Sequence, residues 1–221
     1  MYPAGRDGGK VEFQNHIDRL KKIFISESCA DEIKKAKQEF IALGGDLSKE
    51  IEGDSELLEI FFDWYLFERP LSLEGLTPVE LFLKTAEISE DDRQVYLDFT
   101  KPIHSIFIVK KASAEIKLQD IFTKNKYALL NISSTLLEKG DVAETRILSF
   151  KQEYRFSGAF FFYPHNIYPI IKAKAKEARK KRMKDFSPLI CKFRQLKTMW
   201  SRCSNMDIEK VYKLMEEGLL V

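Results

Sequence analysis

The spacing of apolar residues changes twice along the chain, at Pro102 and again at Pro169, and these two switches constrain the fold more than any other feature. Before Pro102 the apolar positions recur every three to four residues, as on a helix face. Between the prolines they fall in short runs rich in β-branched and aromatic residues. Beyond Pro169 the helical period returns. The pattern predicts an α+β fold: a helical N-terminal region over 11–100, a small five-stranded barrel-like antiparallel sheet over 103–164, and a helical C-terminal region over 165–221 that packs on the rest.

Punctuation divides the N-terminal region into separate helices. Val11, Phe13, Ile17, Leu20 and Phe24 share one side of a helix over 11–25. A second, over 30–43, ends at Gly44-Gly45, where glycine takes the left-handed conformation that closes a helix. Asp54-Ser55 offers cap oxygens for ELLEIFFDWYLFER, which is apolar around most of its circumference and therefore belongs between layers. Thr77-Pro78 begins a helix with proline in its first turn, and Ser89 with Asp92 opens a short one through Leu97. The stretch MYPAGRDGGK reads as a flexible leader over 1–10 without the apolar centre of a secretory signal. Nowhere does the chain approach about 18 uninterrupted apolar residues, so no membrane contact is expected.

The five expected strands are HSIFIVKK, AEIKLQDIF, KYALLNI, VAETRILSF and EYRFSGAFFFY, with turns at Lys124-Asn125 and over 138–141. In the last strand Tyr154, Phe156, Gly158, Phe160 and Phe162 share a face, and Gly158 marks a bend. In the C-terminal region Ile171, Ala175 and Ala178 make a narrow apolar stripe over 170–184. Ser187-Pro188 caps and opens a helix whose Leu189, Phe193, Leu196, Trp200 and Cys203 form a packing seam. A last helix over 206–217 closes at Gly218.

Several chemistries lack their residues. His16, His104 and His165 lie in three regions, and Cys29, Cys191 and Cys203 form neither a metal-ligand spacing nor a disulfide framework. No metal and no cofactor is therefore expected, and free thiols point to a reducing, cytoplasmic setting. Phosphate-cradling glycine loops and the nucleophile elbow are missing from the sequence. Carboxylate pairs such as Glu90-Asp91 read as solvated caps, so no catalytic residue is assigned.

Charge is distributed unevenly. Residues 31–100 carry 18 acidic and 7 basic side chains, a net of −11, whereas residues 172–197 carry 11 basic and 2 acidic, a net of +9. The densest run, KAKAKEARKKRMK, singles out Lys172, Lys174, Lys176, Arg179, Lys180, Lys181 and Arg182 as a surface for nucleic acid or an acidic partner. It has no interleaved aromatic residue for base stacking and no Asn or Gln for base edges. Its plainer reading is a solvated helix face, or a complement to the acidic N-terminal half.

The run from FFDWYLFERPLSLEGLTPVELFL through IKLQDIF, EKGDVAETRIL and YRFSG resembles uncharacterised bacterial proteins that often carry a C-terminal SEC-C zinc motif. The matching residues are Trp64, Asp120, Gly140, Asp141 and Arg146, over roughly residues 57–163. The resemblance implies an architecture and no activity, and the cysteine-rich SEC-C element is missing. Asn131-Ile132-Ser133 also resembles the start of the PilZ signature, which implies a cyclic di-GMP sensor. Leu136 replaces its glycine, and no arginine lies between Arg93 and Arg146 to form the upstream pair. The function expected from the sequence is a non-enzymatic protein-interaction or adaptor module of bacterial type, with a protein partner or self-association. Nucleic-acid binding through the basic helix and a degenerate PilZ-like sensor are the alternatives.

Overall fold

The structure, a computed structural model, describes residues 8–44, 55–130, 137–203 and 205–218. Among the described residues five α-helices precede the sheet: α1 (Gly8–Phe24), α2 (Ala30–Gly44), α3 (Ser55–Phe67), α4 (Pro78–Thr85) and α5 (Glu90–Phe99). Of the expected leader over 1–10, residues 1–7 lie outside the described residues and 8–10 belong to α1; Asp54 of the expected α3 cap also lies outside them. Local chemistry sets several boundaries as read. Thr77 and Glu80 form a reciprocal capping box at α4, and Ser89 accepts the Asp92 N–H at the start of α5. The all-round apolar α3 buries Leu57, Ile60, Phe61, Tyr65, Leu66 and Phe67 between α1, α2, α4 and strand β5. Arg69, just past its end, forks onto Glu39 of α2 at 2.7 and 2.8 Å and reaches Glu32 at 2.6 Å, tying α2 to the α3 exit.

The sheet comprises β1 (Ile103–Ala112), β2 (Glu115–Asp120), β3 (Lys126–Leu130), β4 (Val142–Phe150) and β5 (Glu153–Tyr163), all pairs antiparallel in the order β3-β2-β1-β4-β5. Strand alternation sorts its residues onto two cores. One face carries Ile106, Val142, Leu148, Phe161 and Tyr163 against the helices. The other carries Phe107, Val109, Ile116, Leu118, Leu129 and Ile147, with Tyr154, Phe156, Phe160 and Phe162 packed against them. Among the described residues no helix residue belongs to that second cluster. The sheet curls around it until Tyr127 of β3 and Tyr154 of β5 meet edge to face, ring centroids 5.3 Å apart.

The expected barrel is not formed. No ladder joins β3 to β5, so the sheet is curled and open, its rim closed by side chains rather than by backbone hydrogen bonds. Curvature comes where the sequence placed it: the β4–β5 register shifts between Thr145 and Ile147, opposite Gly158 at φ 114°.

Three helices follow: α6 (Tyr168–Lys180), α7 (Ser187–Arg202) and α8 (Ile208–Glu216). The stripe Ile171, Ala175 and Ala178 is buried as read, and so are Phe193 and Leu196 of the α7 seam. Ser187 is not the cap. Phe186 holds that position without a side-chain bond, while the Ser187 N–H donates to Asp185 at 2.9 Å.

Candidate nucleic-acid interface

Small side chains decide how α6 lies. With alanine at 175 and 178, the helix settles flat on the body and its lysines point outward or sideways. The seven basic residues singled out in the sequence then divide. Arg179 is part of the scaffold: its Nη1 donates to the carbonyls of Ile121 at 2.6 Å and Phe122 at 3.0 Å, closing α6 onto the end of β2. Lys174 is drawn toward α8, 3.5 Å from both Glu177 and Glu216 and over the Tyr212 ring; its bond with the Tyr212 hydroxyl raises its pKa. Lys172, Lys176, Lys180, Lys181 and Arg182 remain exposed.

Four lysines of the sheet, which sequence reasoning missed, enlarge this face. Lys124 sits at φ 70° in the β2–β3 turn beside α6. Its ammonium is held below its usual pKa, first by burial and then by the like charges of Arg179, Lys172 and Lys110. Next to these lies a cleft of about 530 Å³ on the outer face of β2 and β3, lined by Lys110, Lys117, Gln119 and Lys126. Ala128 leaves its floor open, and Glu115 is its one carboxylate, paired with Lys117 at 3.1 Å. The available signal was alternation: Lys117 and Gln119 alternate with buried Ile116 and Leu118, and Lys126 and Ala128 with Tyr127 and Leu129.

Among the described residues the acidic half does not cover α6. The two regions touch where Lys197 of α7 bonds Glu56 of α3 at 2.7 Å, while Lys172, Lys176 and Lys180 are exposed.

A second polar constellation is buried. His104 of β1 lies 3.0 Å from Glu144 of β4 and 3.3 Å from Glu68. Arg146 reaches Glu68 at 2.7 Å, and Arg194 of α7 forks onto Glu144. Tyr163 donates to the same carboxylate, while Ser157 donates to Asp63 nearby. Burial alone would raise both glutamates; the neighbouring cations reverse that, holding Glu144 at about 2 and Glu68 well below the usual carboxylate range. For His104, burial and Arg146 press the pKa down, but the charge of Glu68 and the hydrogen bonds the imidazole donates to both glutamates leave it raised. Carboxylates so fully paired are poor proton carriers at neutral pH. The cluster cross-links the fold.

The residues behind the SEC-C resemblance have architectural roles. Asp120 accepts the N–H groups of Phe122 and Thr123 and the Ser105 hydroxyl, Gly140 turns at φ 103°, and Asp141 accepts the Glu138 N–H. Trp64 packs on Phe40, and Arg146 joins the buried cluster. Asn131, Ser133 and Leu136, on which the PilZ likeness turns, lie outside the described residues. Among the described residues no group of three His, Cys, Asp or Glu is placed to hold a metal ion, and no helix is long and apolar enough to cross a membrane. No curated protein and no solved structure matches the chain. The model of a family of unknown function, DUF7986, matches residues 13–190, and the chain belongs to that family.

Proposed function

We propose that the protein is a non-enzymatic binding module that holds a nucleic-acid backbone on its basic face, in a reducing, cytoplasmic setting. One observation carries this reading: Lys110 of β1, Lys124 of the β2–β3 turn, and Lys172 and Arg179 of α6 gather on one face, near enough that, after burial, their like charges hold the Lys124 ammonium below its usual pKa. A like-charge cluster is costly in the free protein, and phosphates would relieve it while releasing condensed counterions. The lack of exposed stacking rings or base-reading amides on α6 supports binding without sequence preference.

Anisotropy titration of the full chain with labelled DNA and RNA should show Kd near the non-specific range, ~10⁻⁵ M at moderate salt, weakening steeply as salt rises. Charge reversal in K172E/K176E/K180E should weaken binding at least tenfold and flatten the salt slope by about 2. No binding of either polymer at about 50 mM salt defeats the proposal.

An acidic protein surface is the second reading, favoured by the Lys197–Glu56 pair, which already shows basic C-terminal and acidic N-terminal side chains joining. Such a partner would be captured through the same lysines and displaced by oligonucleotide.

A further inference from the structure

We infer that the nucleic acid taken by this face is single-stranded, and that its backbone lies in the cleft across the outer face of β2 and β3. The inference rests on the nucleic-acid reading above and narrows it to a strand type and a path.

Three observations point there. Among the described residues the helices pack mainly on β1, β4 and β5, α6 meets the end of β2 through Arg179, and the cleft is a concavity lined by residues of β1, β2 and β3. At about 530 Å³ it falls within the size of small-ligand pockets, roughly 300–1,000 Å³. A flexible strand can lower phosphates into such a cleft. A duplex, stiff over ~50 nm and convex, can only touch the rim.

The cations also form one path. Lys110, Lys117 and Lys126 line the cleft, and Lys124, near enough to feel the charges of both Lys110 and Lys172, joins it to α6. A bending backbone can follow that path.

Finally, α6 is badly placed to enter a major groove. Ile171, Ala175 and Ala178 bind it to the body, Arg179 is spent on main-chain carbonyls, and Lys174 is engaged with α8. Tyr127, the aromatic residue at the cleft, turns its ring inward to Phe107 and Tyr154, so contact is with phosphate and not by stacking.

The test compares the full chain with K117Q/K126Q, two exposed strand positions where neutral glutamine preserves the sheet; circular dichroism and the melting temperature check the fold. Probes are a labelled 20-nucleotide single strand and its duplex, each at two salt concentrations. Wild type is expected to prefer the single strand at least tenfold. The cleft variant should lose about tenfold on the single strand, with its salt slope flattened by about 1.4, and change little on the duplex. Duplex binding as tight as single-strand binding overturns the inference, as does a correctly folded cleft variant that binds like wild type. Both leave the nucleic-acid reading standing. Failure of wild type to bind either probe defeats that reading, and this inference with it.

Discussion

Asp63 and His104 carry opposite charges when ionised, yet both lose value to the fold as pH climbs. Burial among the helices raises the Asp63 carboxyl to about 6, against the pull of Arg146 and the Ser157 hydroxyl. A raised pKa favours the protonated fold, so this contribution is complete below 3.8 and drains as pH rises through about 6. His104, also raised, contributes fully below 6.5 and loses its share as pH passes its folded value. Glu144 runs the other way, contributing above 4.5 and failing as pH falls toward 2. Stability should therefore peak in mildly acidic solution. In Asp63→Asn, which keeps an acceptor for Ser157, the alkaline decline should be shallower: the wild-type advantage should shrink by on the order of 1 kcal/mol between about pH 5 and 7.5. Urea unfolding at both values reads this, and a constant gap contradicts it. The sequence carried a trace of the site, since Asp63 is the only charged residue between Ile60 and Phe67. What it meets could not be read, because Ser157 is 94 residues away.

Among elements, α6 shows how strand and helix patterns were legible while the partners of charged side chains were not. Its buried stripe follows from period alone, as do the aromatic faces of β5. Arg179 looked like its neighbours because a guanidinium bonded to carbonyls 57 and 58 residues earlier leaves no mark in spacing. The α6 terminus holds a second feature that composition hides. Arg182 adopts φ 54°, with its N–H donated to Arg179 and the Met183 N–H to Ala178, the arrangement usually closed by glycine. Arg182→Gly should remove that strain and stabilise the protein by about 0.5–1 kcal/mol, while deleting one exposed cation. A melting temperature that rises as nucleic-acid affinity falls would separate the two effects; a drop in stability would refute the strain assignment.

At the scale of the whole molecule, the curled sheet and the helices behind it are cross-linked by the cluster around Glu144. Arg194, 1% exposed, comes from α7; Glu144 and His104 come from the middle strands; Glu68 follows α3. Removing one member strands a charge where water cannot reach it. Arg194→Met should thus cost about 3–5 kcal/mol, read as a lower urea midpoint, and a loss under about 1 kcal/mol would show the pair to be dispensable. The seam of α7 is visible in the sequence through Phe193 and Leu196, whereas nothing in the spacing marks Arg194 between them as buried. Barrel closure was over-read for a related reason: alternation reports which way side chains face, and says nothing of whether two outer strands pair. They do not, and that has a consequence for how the inner aromatic cluster is kept dry. Among the described residues the outer strands are held together at Tyr127 and Tyr154 by an edge-to-face contact alone, so wetting of Phe107 requires that one ring contact to part and no backbone hydrogen bond to break.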